Sequence, residues 1–269
     1  MADLVRPMNE EMIYDAEEAM FHSSLRYACG RLDQVTTQLF EERENGYLTE
    51  AGSHASLVEQ IDRFFQSIIA AFKRFKTSIQ DKVNAKVRTK EMQQAFRQFA
   101  VNVQFLQAQG QKTVEMYDIW KIDKLLDDAW KDLYKMANRI LTKRYKSLAA
   151  MDVDIRVFNE RMDKAEREFN ACLEKKVRVP IKDALDLIEK TVTGRDLRIT
   201  TIDKNIQGLE DLQREVKKVI DNREIYGVDV LPEKISVIRR VMNKLSSFLH
   251  RTIGKRCAKL IAGIVFLCA

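Results

Sequence analysis

The sequence predicts an all-α fold: an elongated bundle of long antiparallel helices with coiled-coil-like packing. Nine glycines and three prolines in 269 residues leave few helix breakers. Apolar residues recur at three- and four-residue spacing in at least five separate stretches. Charged residues make up 32% and apolar residues 45% of the chain, a composition typical of a folded domain. A minor two-stranded β element stays open as an addition to the bundle.

The chain divides into three stretches by composition. Residues 1–176 form the main bundle of long helices, and residues 177–230 hold short helices and a β excursion. Residues 231–269 form basic amphipathic helices with an apolar end. The net charge of the whole chain is +6. Eight lysines and arginines against one acid in the third stretch account for all of that excess.

The first two predicted helices carry apolar residues at helical period. The first covers residues 9–44, before two glycines interrupt the pattern. Ser56 and Glu59 form a capping box that starts the second helix, with Ser53 as an alternative cap. Its stripe of large apolar residues includes Phe64, Ile68, Phe72 and Phe75, and it suits either a core face of the bundle or an interaction surface. A related pattern continues to Gly110.

The stretch 119–140 predicts a central helix, because its apolar residues keep strict three-and-four spacing and form a broad face. Residues 155–172 repeat this pattern, and Cys172 lies on the apolar seam, which favours a core role over a nucleophile. Pro180 begins a short helix that Gly194 ends. The β-branched segments 196–200 and 224–230 are candidates for two short strands, on either side of a helix over 202–219.

The C-terminal stretch predicts a pair of basic helices over residues 233–251 and 254–269. Its candidate contact residues are Arg239, Arg240, Lys244, Arg251, Lys255, Arg256 and Lys259. The chain ends in "LIAGIVFLCA", in which Leu260, Ile264, Phe266 and Leu267 are the large apolar candidates for an interaction. Ten apolar residues are half of what a membrane span requires. We therefore expect this end to dock on its own bundle or on a neighbouring subunit, with its cations meeting acids such as those of the N-terminal helix.

The sequence lacks the motifs of common enzymes. No phosphate-binding glycine loop, zinc-protease motif or nucleophile elbow is present. Adjacent acids lie inside amphipathic helices, where neighbouring side chains diverge, and no histidine follows a glutamate by three positions. The four scattered cysteines favour buried or free thiols. These observations predict a protein with no catalytic residues, no cofactor and no metal, and with neither a signal peptide nor a transmembrane helix.

The acidic opening "MNEEMIYDAEEAM" and the basic aromatic segment "SIIAAFKRFKTSI" together resemble helical virion structural proteins of large tailed bacteriophages. This resemblance implies a non-enzymatic component of a capsid, core or tail that packs against other subunits, located in the virion or the host cytoplasm. A second resemblance, to BAR-like helical dimers, rests on length, long helices and basic faces.

Three classes of function therefore stay open, and an enzyme, which the sequence argues against, is the last of them. The first is a structural or assembly protein that contacts other protein subunits as a homo- or hetero-oligomer. The second is a peripheral membrane-binding protein that uses the aromatic helix around residues 64–79 as an interfacial helix. The C-terminal basic helices offer a surface for protein, an anionic membrane or nucleic acid, and no small-molecule substrate is predicted.

Overall fold

The computed structural model describes residues 10–44, 52–108, 110–143, 145, 147–192, 199–221 and 231–268. Eight helices and one two-stranded sheet lie within these residues, which confirms the predicted all-α class with a minor β element. The elements are α1 Glu10–Glu44, α2 Gly52–Val87, α3 Lys90–Ala108, β1 Thr113–Tyr117, α4 Ile119–Thr142, α5 Leu148–Leu173, β2 Lys176–Pro180, α6 Ile181–Val192, α7 Ile199–Asp221 and α8 Leu231–Cys268.

The predicted capping box does not start α2. The helix begins at Gly52, one turn before Ser56 and one residue before the alternative cap Ser53, so Ser56 and Glu59 lie inside it. It ends at Val87, and a short turn at Arg88 and Thr89 separates it from α3. The helix therefore extends beyond the local start signal, as tertiary packing frequently allows.

Two hydrophobic cores hold the helices together. The larger core combines α1, α2, α7 and most of α8 with the C-terminal half of α4 and the first turns of α5. The smaller core combines α3, α6 and the two strands with the start of α4, the end of α5 and Leu260 of α8. Three helices, α4, α5 and α8, contribute to both cores and join them.

Most neighbouring helices are antiparallel, as predicted, because residues later in α1, α2 and α4 contact residues earlier in α8, α7 and α5 respectively. Phe21 of α1 packs edge-on against Phe72 of α2, with ring centroids 5.1 Å apart. Helices α2 and α7 cross closely enough that Lys76 and Asp203 form an ion pair of 2.6 Å. Gly208 lets α7 approach α4, because a Cβ there would lie 2.8 Å from the Trp130 ring.

The strands lie elsewhere than predicted. Strand β1 pairs antiparallel with β2, and Val114 faces Val179 in the register. The predicted strand 224–230 lies outside the described residues, and the last two residues of the other, 199–200, begin α7. Both real strands are five residues long, with one buried side chain each, and that signal is too short to stand out between long helical stretches.

The predicted pair of C-terminal helices is wrong, because a single helix, α8, spans both. Gly254 lies buried in the middle of α8 without breaking it. Contacts with α1, α4 and α5 along its length hold it in helical form. Burial on several sides outweighs the cost of about 1 kcal/mol for an internal glycine.

Candidate interaction surfaces

The aromatic stripe of α2 is not a surface. Phe64, Ile68, Phe72 and Phe75 are all buried in the larger core, and Phe72 is fully inaccessible. Helices α1 and α7 cover this face of α2 from two sides. The prediction that these four residues contact a partner or a membrane is therefore wrong for this structure, and their apolar character is explained by the core.

The basic residues of α8 are mostly engaged inside the protein. Helices α5 and α8 run parallel, and four cations of α8 contact residues that lie 85 positions earlier in the chain. These contacts are Lys244 with Asn159 (2.7 Å), Arg251 with Glu166 (3.2 Å), Lys255 with Asn170 (3.0 Å) and Lys259 with Glu174 (3.6 Å). The constant offset gives α5 and α8 a polar seam along one side.

Arg256 is the most deeply buried of these cations. Its side chain is 1% exposed, and its Nε and Nη2 donate to the two carboxylate oxygens of Asp123 in α4, at 2.9 and 3.1 Å. A bidentate pair of this kind fixes the angle between α8 and α4. Arg239 pairs with Asp33 of α1 at 2.5 Å. Lys255, Arg256 and Lys259 therefore contact α5 and α4. Their predicted contact with the acids at the start of the N-terminal helix falls on side chains outside the described residues and stays a prediction. Arg240 remains exposed.

The apolar chain end begins inside the protein. Leu260 is buried in the smaller core, and a Cβ on Gly263 would lie 3.5 Å from the Tyr117 ring. Lys259 reaches over the same ring at 4.9 Å. The side chains of Ile264, Phe266 and Leu267 lie outside the described residues. The predicted docking of the tail therefore holds for its first residue, on its own bundle, and stays a prediction for the rest.

Two buried polar groups of α8 were not predicted. Lys234 donates from Nζ to the carbonyls of Ile140 (2.5 Å) and Lys143 (3.3 Å), where it satisfies the C-terminal end of α4. Burial lowers the pKa of Lys234 to about 8. His250 stacks on Phe21 with ring centroids 4.1 Å apart, and neither of its ring nitrogens has a hydrogen-bond partner.

His250 is held in its neutral form. Burial, followed by the nearby His22 and Arg251, lowers its pKa to about 3. A stacked, neutral imidazole among phenylalanines behaves as a core aromatic side chain rather than as a general base at neutral pH. The thiols behave similarly. Burial raises the pKa of Cys29 to about 11 and also raises the pKa of Cys172, so neither free thiol is activated as a nucleophile.

An exposed seam with two large apolar residues lies on α3. Val101 is 58% and Phe105 62% exposed, one helical turn apart. Together with other exposed residues they form a stripe at alternating four- and three-residue spacing: Gln94, Gln98, Val101, Phe105 and Ala108. That is the spacing of a coiled-coil seam. We call these five residues the α3 seam. The opposite face of α3, with Phe99 and Val103, packs into the smaller core.

The α3 seam escaped sequence analysis although its spacing is visible in the sequence. Residues such as Phe99 and Phe105 look equally suited to the core. The glutamines that complete the seam are not apolar, so an apolar count does not select them. Only the burial of one face of α3 in the structure distinguishes the core residue Phe99 from the seam residue Phe105.

Two open grooves flank the exposed face of α2. One lies between α1 and α2 and has a volume of about 630 Å³. The other lies between α2 and α7, with a volume of about 660 Å³, and has both acids and cations along its walls.

Among the described residues, no group of three histidine, cysteine or acidic side chains could hold a metal ion. None of the helices, over their described residues, combines the length and apolar character needed to cross a membrane.

Comparisons with protein-family models, with curated proteins and with solved structures give no match for this chain.

Proposed function

We propose that this protein is a non-enzymatic assembly component that binds a second copy of itself through the α3 seam. The observation that carries the proposal is the exposure of Val101 and Phe105 at coiled-coil spacing on a helix whose other face is already packed. Side chains of this size normally lose contact with water, and burying each would contribute about 1.5–3 kcal/mol. A facing helix is the structure that fits such a stripe.

A second copy is the occupant that the charge of the seam favours. The seam itself contains no charged residue, and Arg97 is the charged residue directly beside it in the sequence. An oppositely charged partner therefore has little to recognise, whereas an identical seam meets little like-charge repulsion. The two glutamines at the start of the seam add a polar border to its apolar part, as in interfaces with an apolar centre and a polar rim.

The expected association is weak unless further contacts add to it. The seam spans fourteen helical steps, which is about 21 Å along the helix axis. A stripe of that length on one helix buries less than the roughly 800 Å² per partner of a standard interface. Concentration-dependent dimers are therefore expected, as suits a subunit that is held in an assembly by several contacts. The finer part of the proposal, a virion component, rests on the resemblance of the sequence to phage structural proteins.

The membrane-surface alternative loses the observation that motivated it. An interfacial helix needs an apolar face that is free to enter the headgroup region. The aromatic face of α2 is buried between α1 and α7.

Light scattering after size exclusion tests the proposal, with protein concentrations from about 1 to about 300 µM. The wild type should shift from monomer to dimer over this range. Val101→Lys should keep it monomeric, because it places a charge in the centre of the seam. Val153→Lys is the matched control, since Val153 is 48% exposed on α5, away from the seam, and should dimerise like the wild type. A wild type that stays monomeric throughout, or equal losses in both variants, would contradict the proposal.

A further inference from the structure

Three arginines, with no carboxylate among the other lining residues, line the groove between α1 and α2. Arg31 of α1 and Arg63 and Arg74 of α2 line this groove. The remaining lining residues are serines, Tyr27, a glutamine and an alanine, and no carboxylate is among them. We call this the arginine groove.

The three guanidinium groups keep most of their donors available. Arg74 Nη2 donates to Ser24 Oγ at 3.2 Å, and Arg31 Nη1 donates to the Tyr27 hydroxyl at 3.5 Å. Both contacts are to neutral hydroxyl groups, and a guanidinium has five N–H donors. Arg63 pairs with Glu59 one turn away on the same helix, and both side chains are more than half exposed. An exposed pair of this kind contributes about 0–1 kcal/mol, so an anion can replace the carboxylate.

The second groove differs in a way that matters for anions. Between α2 and α7, Lys73 pairs with Glu210 at 3.0 Å, and Asp62 accepts a hydrogen bond from Gln213 at 2.7 Å. Acids and cations there largely balance each other. Of these two grooves, the arginine groove, on the other side of α2, is therefore the one that attracts a polyanion.

The arrangement of the arginines spaces the positive charge along the groove. Helices α1 and α2 are antiparallel, and the Arg74–Ser24 contact marks one end of the groove. Arg63 lies eleven residues before Arg74 on α2, which is about 16 Å along the helix axis. Arg31 lies on α1 beyond Ser24, towards the Arg63 end. Tyr27 lies between Ser24 and Arg31 on α1, and its side chain is 66% exposed.

We propose that the arginine groove binds the phosphate backbone of single-stranded nucleic acid. Arginine forks and serine hydroxyls are typical donors to phosphate oxygens, and a flexible strand can bring successive phosphates to both ends of the groove. Tyr27 offers a ring on which a base stacks without sequence preference. A basic groove beside an exposed aromatic ring favours a nucleic acid over an acidic peptide, because an acidic peptide has no base to stack on the ring. The surface is separate from the α3 seam, so the proposal does not depend on self-association.

Fluorescence anisotropy with the full chain and a labelled oligothymidine of about 15 nucleotides tests the proposal at low salt. Arg31→Gln/Arg74→Gln should weaken binding at least about tenfold and make the logarithmic salt slope shallower by about 1.4, since each phosphate contact to a single strand contributes roughly 0.7. Tyr27→Ala should weaken binding about tenfold and leave the salt slope unchanged, whereas Tyr27→Phe should bind like the wild type.

The matched control is Arg156→Gln/Arg167→Gln, which removes the same charge from exposed positions of α5. It should change the affinity less than about twofold. Equal loss in the control, or no binding of the oligonucleotide by the wild type, would overturn the proposal. So would polyglutamate that competes as well as unlabelled oligonucleotide, which would indicate an acidic protein partner. Phosphatidylserine vesicles that bind through Arg31 and Arg74, while the oligonucleotide does not, would indicate a membrane surface instead.

Discussion

Helices α2 and α3 follow each other in the chain and look alike in sequence, yet their apolar residues have different fates. The stripe of α2 is covered by α1 and α7, and Phe72 is completely inaccessible. On α3, Phe99 enters the smaller core, while Phe105 points outward with 62% of its surface exposed. The period of the apolar residues thus predicts that a helix has an apolar face, but not whether the rest of the chain covers it.

The same contrast holds for positive charge. The cations of α8 that the sequence picks out as a basic surface mostly meet acids and amides of α1, α4 and α5, whereas the arginines between α1 and α2 face an open groove. A local excess of charge therefore says little about external partners until its internal partners are known. The predictions below test this difference between covered and open groups, beginning with the largest effect on stability.

Phe72→Ala should destabilise the protein by about 3–5 kcal/mol, because it leaves a cavity in a core with no solvent access. Denaturant unfolding followed by circular dichroism measures the change. Phe105→Ala is the control on the open side and should change stability by less than about 0.5 kcal/mol. Similar losses in the two variants would mean that α3 is covered in solution as fully as α2.

Arg256→Gln should cost about 3 kcal/mol, because it leaves the largely buried carboxylate of Asp123 without its bidentate cation. Lys244→Gln, which removes a cation from the exposed contact with Asn159, should cost less than about 0.5 kcal/mol. Thermal melts of both variants give the comparison. Equal shifts in melting temperature would contradict the assignment of Arg256 to the interior.

His250 should make the protein less stable in acid. Its folded-state pKa of about 3 lies below the ordinary value of 6.5, so below pH 6.5 the unfolded chain binds a proton that the folded chain rejects. Stability is unaffected by this group above pH 6.5 and is lost progressively as the pH falls towards 3. Between pH 7 and pH 5 the loss should be about 2 kcal/mol.

The His250→Leu variant isolates that effect. Its loss of stability between pH 7 and pH 5 should be about 2 kcal/mol smaller than that of the wild type, since leucine cannot take up the proton. Urea unfolding at the two pH values provides the numbers. Parallel curves for the two proteins would mean that the imidazole reaches water or a partner in the folded state.

Gly208→Ala should give the smallest core effect, about 1–3 kcal/mol. The new Cβ would lie 2.8 Å from the Trp130 ring, so one of the two must move. Gly30→Ala is a matched control on α1, because a Cβ there meets no atom within 4 Å. That control should be neutral or slightly stabilising, since alanine favours a helix more than glycine does. Urea midpoints of the two variants measure the difference.

Local spacing in the sequence was enough to predict that the chain is helical and where several helices lie. The stretches 119–140, 155–172 and 202–219 fall inside α4, α5 and α7, because a strict three-and-four apolar spacing is a property of one local segment. It also identified Cys172 as a core residue. The large apolar residues of α2 suited either a core face or an interfacial surface, and the structure has them in the core.

Which groups are covered depends on how the helices pack against one another. Phe64 and Phe105 are both phenylalanines on helical stripes, and what separates them is whether helices distant in sequence lie against them. The same holds for two arginines. Arg256 lies beside Asp123, 133 positions earlier in the chain, whereas Arg31 lies beside an open groove. Burial and ion pairing depend on contacts between segments far apart in the chain, and a reading of local spacing holds no information about those contacts.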